Sequence, residues 1–86
     1  MATIGTFFKD GDSYTGIITT ALVQARMVLV PDRGSGGYVA LIGSRTVGFA
    51  DVQADGTLAV QLDTSVLPGL GRAALSNRHG VFVMSV

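Results

Sequence analysis

Few residues in this chain are of types that do chemistry. His79 is the only histidine, and there is no cysteine. A metal site needs several ligands, and the turn around His79 adds only Asn77 and Arg78. A general base needs a nucleophile or acid to work with, and no serine stands in a recognisable nucleophile motif. His79 therefore reads as a polar turn residue. Asp10 and Asp12 flank Gly11. Paired carboxylates can hold Ca²⁺ or do acid–base work, but this stretch lacks the length and the glutamate of a Ca²⁺ loop. It reads as a hairpin turn. Gly34-Ser35-Gly36-Gly37 has the glycines of a phosphate cradle without the Lys and helix that complete one. Gly69-Leu70-Gly71 lacks the third glycine of a dinucleotide loop. The six aspartates fall mostly in turns and do not pair as a catalytic acid and base. These residues indicate a protein that is not an enzyme and that needs no cofactor and no metal.

A second set concerns binding. Phe7, Phe8, Tyr14, Tyr38, Phe49 and Phe82 are interspersed with Arg26, Arg33 and Arg45. Aromatics that stack on bases, with arginines on phosphates, are how small β-barrels hold single strands. Tyrosine and arginine are equally common anchors of protein interfaces. The simpler reading puts the phenylalanines in the core and the arginines at solvated edges. Tyr14 and Tyr38 border loops and are expected to be partly exposed. The candidate binding residues are Tyr14, Arg26, Arg33, Tyr38 and Arg45, with the Asp32–Gly37 loop beside them.

Composition narrows the class of partner. The chain has 86 residues, enough for one domain spanning 1–86 with a thin core. Six aspartates balance five arginines and one lysine, so the net charge is zero. Nucleic-acid binders carry a basic excess, so neutrality favours a protein partner over single-stranded nucleic acid. Hydrophobic residues make up 48% and charged residues 14%. Surplus apolar surface on a small domain tends to end in an interface, and a homodimer is expected. The start is too short and too little basic for a signal peptide. No apolar run, Met27–Val30 included, comes near the about 20 residues of a membrane helix. A cytoplasmic location is expected, with no membrane contact.

The elements that must position these residues are strands. Glycine-bearing turns recur between short runs rich in Val, Ile, Thr, Phe and Tyr. Strands are expected over Thr3–Lys9, Tyr14–Thr20, Gln24–Val30, Tyr38–Gly43, Thr46–Gln53, Thr57–Asp63, Arg72–Ser76 and Val81–Val86. Leu58, Val60 and Leu62 alternate with Ala59, Gln61 and Asp63, the period-two pattern of a strand with one wet face. Gln24–Val30 and Val81–Val86 are apolar on both faces. Ala54-Asp55-Gly56-Thr57 is expected as a hairpin with a type I′ Asp-Gly pair. Pro31 closes the third strand, since it cannot donate to a ladder. A helix over Thr20–Met27 is the weaker alternative. The Asp32–Gly37 loop is expected to be the most mobile segment. The expected fold is all-β: an antiparallel β-sandwich or small barrel-like meander of about seven strands.

Several of these segments resemble the bacterial family known as domain of unknown function 736. The likeness runs through Met1-Ala2-Thr3-Ile4-Gly5-Thr6-Phe7, Tyr14–Thr20, Met27–Pro31, Tyr38-Val39, Val47–Ala50 and Leu58–Asp63, with Pro68 at the place of a proline-rich turn. Order and spacing agree over most of the chain. The chain departs in a shorter, glycine-rich loop after Pro31, in fewer prolines before Arg72, and in an ending without tryptophan. The resemblance implies a setting on mobile genetic elements or phage and no assigned activity. Small proteins there are often inhibitors of host defence, of anti-CRISPR or anti-restriction type, or accessory factors in DNA transfer. The expectation is a non-enzymatic binding protein acting through protein–protein contacts. A single-strand-binding barrel and a structural homodimer, joined by edge-strand pairing or by a second apolar face, are the alternatives.

Overall fold

A computed structural model describes residues 2–86. All eight expected segments are strands: β1 (Thr3–Asp10), β2 (Ser13–Thr19), β3 (Gln24–Pro31), β4 (Tyr38–Ile42), β5 (Arg45–Val52), β6 (Leu58–Leu62), β7 (Arg72–Arg78) and β8 (Val81–Ser85). Each pairs antiparallel with the next, and β1 pairs with β8, so the meander closes into a barrel. The alternative between sandwich and barrel is thereby decided, with eight strands where about seven are expected. Among the described residues no helix is long and apolar enough to cross a membrane. Thr20–Val23 is a tight turn in place of the alternative helix. The Thr20 hydroxyl accepts the Leu22 and Val23 amides at 3.2 and 3.0 Å.

An eight-stranded barrel has an interior just wide enough for side chains to fill. Here Phe7, Ile18, Met27, Leu29, Val47, Val60 and Met84 fill it, all essentially without solvent contact. Leu67 and Leu70, from the connection between β6 and β7, close one end. The strand faces follow period two except at two bulges. In β1, Ile4 is the extra residue against β8, which lets Ile4 and Phe7 both point inward although they lie three apart. In β5, Val47 is the extra residue against β4, and Val47 and Ala50 both face in. A bulge bends its strand and tightens its twist. The two lie four strands apart, and each is followed by a glycine, the pairing of devices that turns a sheet into a barrel.

Gly16 fits this curvature for a specific reason. It opposes Phe7 across the β1–β2 ladder, and the Phe7 ring folds over it. A Cβ there would sit 2.4 Å from the Thr6 carbonyl oxygen and 2.6 Å from the Phe7 ring.

The turns mostly follow the sequence, with one correction. Gly56 has φ 87°, but Asp55 does not share the positive φ that type I′ demands. The Gly56 amide donates to the Gln53 carbonyl and the Gln53 amide to that of Thr57. This is a three-residue loop, a type I turn followed by a left-handed glycine. Asp55 stays in the ordinary region because its carboxylate accepts the Thr57 hydroxyl at 2.7 Å and the Thr57 amide at 3.1 Å. The I′ pattern occurs instead at His79-Gly80, with φ 58° and 87°, where Asn77 Oδ1 accepts the Gly80 amide at 2.8 Å. The Asp32–Gly37 loop is fastened by its own side chains. Asp32 accepts the Gly34 amide and the Ser35 hydroxyl, and Ser35 accepts the Gly37 amide.

Gly16→Ala should destabilise the barrel by about 1–3 kcal/mol, the usual cost of forcing atoms into a packed interior. Urea denaturation followed by circular dichroism measures it. An unchanged midpoint would show that Phe7 can move off Gly16 at no cost.

Candidate binding face

The successive residues Phe7 and Phe8 must point to opposite sides of β1. Phe7 takes the interior, so Phe8 is driven outward and stands 62% exposed. Ile17 on β2 is likewise outward and 48% exposed. The ladder register sets their neighbours. Phe8 faces Thr15, which faces Val28; Thr6 faces Ile17, which faces Arg26. The outer face of β1, β2 and β3 thus carries two rows, Phe8–Thr15–Val28 and Thr6–Ile17–Arg26. Asp10 lies beyond the first row at the hairpin, and Thr19 lies beyond the second.

All of these side chains but Val28 line an open depression of about 650 Å³. Its lining includes Thr6, Phe8, Thr15 and Ile17, with Asp10 and Arg26 at the borders. Asp10 belongs to the hairpin end of β1, and Arg26 to the far half of β3. From strand spacing and rise they are about 16 Å apart on the diagonal of the face. The surface is apolar in its middle, hydroxyl-bearing around that, and oppositely charged at two corners. A smaller hollow of about 330 Å³ lies outside β5 and β6 around Phe49, which is 58% exposed.

The five residues singled out from the sequence do not converge. Connections alternate between the two ends of a meander. Tyr14, Tyr38 and Arg33 therefore belong to the end that carries the β1–β2 and β3–β4 hairpins. Arg26 and Arg45 belong to the half that carries the β2–β3 and β4–β5 turns. Tyr14 is a correction: expected to be partly exposed, it is only 9% exposed. It packs edge-on against Tyr38 at 5.5 Å and Phe82 at 4.8 Å between ring centroids, and this trio lines the barrel end opposite Leu67 and Leu70. The Lys9 ammonium lies 5.3 Å from the Tyr14 ring centroid, a cation–π contact. Tyr38 is half-buried, and burial, reinforced by neighbouring Tyr14, pushes its hydroxyl above the ordinary value of 10.0. Arg33 is exposed in the β3–β4 loop. Arg45 is exposed at the β4–β5 hairpin, where its charge adds slightly to the effect of the Ser65 hydroxyl and amide in lowering the Asp63 pKa. Only Arg26 borders the depression. The expectation that the phenylalanines fill the core holds for Phe7, holds in part for Phe82, and fails for Phe8 and Phe49. Of the residues on this face, the sequence reading passed over Ile17, gave Phe8 to the core and Asp10 to a turn. The Phe7-Phe8 doublet carried the signal, because only one of two adjacent strand residues can enter a core.

Among the described residues no three His, Cys, Asp or Glu side chains gather as a metal site. His79 sits exposed in its tight turn. The fold is a small up-and-down β-barrel with a side-chain-filled interior, and exposed apolar side chains stand on its outer surface at Phe8 and Ile17 and again at Phe49. Compared with protein-family models, curated proteins and solved structures, the chain matches none.

Tyr38 favours its neutral form in the folded state, so its contribution to stability is complete below pH 10.0 and is lost as pH rises above that value. A spectrophotometric titration of tyrosinate should show a component above 10.0 that disappears in Tyr38→Phe. A late component that survives in Tyr38→Phe would exclude this assignment.

Proposed function

We propose that this protein acts by binding another protein, without catalysis, through the outer face of β1, β2 and β3. The observation that carries this reading is the exposure of Phe8 and Ile17 together in one depression. An isolated exposed apolar residue needs no explanation, but a contiguous apolar hollow with a polar rim is a common form of contact surface. Phe8 is the central anchor, because a large aromatic side chain buries most area on contact. Thr6, Thr15 and Thr19 offer hydroxyls around it, and Arg26 and Asp10 orient the partner. A single-strand-binding role would want several arginines around the exposed aromatic, and Arg26 is the one arginine that lines the depression holding Phe8. The resemblance to a mobile-element family supports a cytoplasmic role in which a small protein blocks a host defence complex, for which any surface that the β1–β2–β3 contact leaves free remains available. Such inhibition is stoichiometric and requires no catalytic group.

A benzoyl-phenylalanine photocrosslinker at position 15, in the middle of the face, tests this in the source cells. Illumination should yield a protein adduct from position 15 and none from position 51, on the opposite side of the barrel. Absence of an adduct at position 15 would remove the face from consideration.

A further inference from the structure

The occupant of this face can be deduced from the arrangement of its charges. The inference rests on the reading that the β1–β2–β3 face is a protein-contact surface. A closed barrel has no free strand edge, so two copies cannot join by extending a sheet, and association must run through side chains on a face. The edge-pairing form of the expected homodimer is thereby excluded. On the β1–β2–β3 face the acidic corner at Asp10 and the basic corner at Arg26 lie on one diagonal, with Phe8 and Ile17 between them. A twofold axis lying in the contact plane, perpendicular to that diagonal, exchanges the two corners. Each Asp10 then meets the partner's Arg26, and the apolar middles stack on one another. An unrelated protein would have to supply the same reversed pair of charges at the same spacing. A second copy supplies it by symmetry, because a twofold contact is made from one surface used twice. The chain's zero net charge places no long-range repulsion between copies.

We propose that the β1–β2–β3 face is the contact surface of a twofold dimer of this chain, with Asp10 of each copy paired to the partner's Arg26 around a centre of Phe8 and Ile17. The charge pairs lie at the rim, where they set register and choice of partner more than affinity. The apolar centre supplies the attraction. The dimer leaves the hairpin ends of both barrels uncovered for any further contact.

Sedimentation velocity over a range of concentrations tests the proposal. The unaltered chain should sediment at twice the chain mass. Asp10→Arg alone places two arginines together at both rim contacts, and Arg26→Asp alone places two aspartates together. Each should weaken self-association by about tenfold or more. An equimolar mixture of the two variants should form heterodimers with the original affinity, because both pairs are restored in that combination alone. Variants that had merely lost their fold would not restore one another, so the mixture separates a broken contact from a broken barrel. Phe8→Ser should be monomeric with an unchanged circular dichroism spectrum. A monomer up to millimolar concentration, or a dimer indifferent to the charge reversals, would overturn the proposal. A monomer that still gives a position-15 adduct with a larger protein would overturn the dimer and leave the contact face standing. A monomer with no adduct would remove both.

Discussion

Eight short antiparallel strands laid side by side leave two strands with unpaired backbone groups, one at each edge. In this protein those two strands find each other. The β1–β8 ladder, running from Thr3–Ser85 to Phe7–Phe82, pairs the first strand with the last. Everything else depends on that closure. It fixes an interior of one size, into which only apolar side chains of suitable volume can go. It requires the sheet to bend fully round, which β1 and β5 accomplish with bulges at Ile4 and Val47. It also removes the edges through which small β proteins most readily associate.

The consequence for function is a displacement to the outside. A larger barrel encloses a ligand cavity, whereas eight strands enclose a core. With Phe7, Met27, Leu29 and Met84 filling the interior, and an aromatic trio and two leucines at its ends, the barrel leaves no room inside for a ligand and the proposed binding falls to the outer surface. The outer surface is uneven. Most outward positions are polar or half-covered, while β1 and β2 place Phe8 and Ile17 as diagonal neighbours through their register, and Phe49 stands exposed on β5. The β1 strand therefore serves both the core and the outer face, with Phe7 inside and Phe8 outside.

Much of the fold was legible in local pattern. The glycine-bearing turns, the alternation at Leu58, Val60 and Leu62, and the β-branched runs located all eight strands to within two residues at either end. These are properties of a few neighbouring residues, and the pleat reads them directly. The candidate site was less legible. Tyr14 looked like a loop-bordering aromatic and is a core residue, because the strand that begins at Ser13 turns it inward beside Tyr38 and Phe82. The arginines looked like one set by type and are scattered by topology, since consecutive hairpins lie at opposite ends. The bulges at Ile4 and Val47 shift which side of a strand faces inward, and no period-two count foresees where such a shift falls.

The sequence by itself determined that this is an all-β chain of short strands and tight turns, with zero net charge, one histidine and no cysteine. Those features depend on residue type and on spacing within one element. Only the tertiary structure decided that the sheet closes, that Phe7 is buried while Phe8 is offered to solvent, and that Asp10 and Arg26 sit on one diagonal of the same face. The reason is physical. Closure and register are settled by pairing between strands remote in sequence, and a surface is a property of neighbours brought together by that pairing.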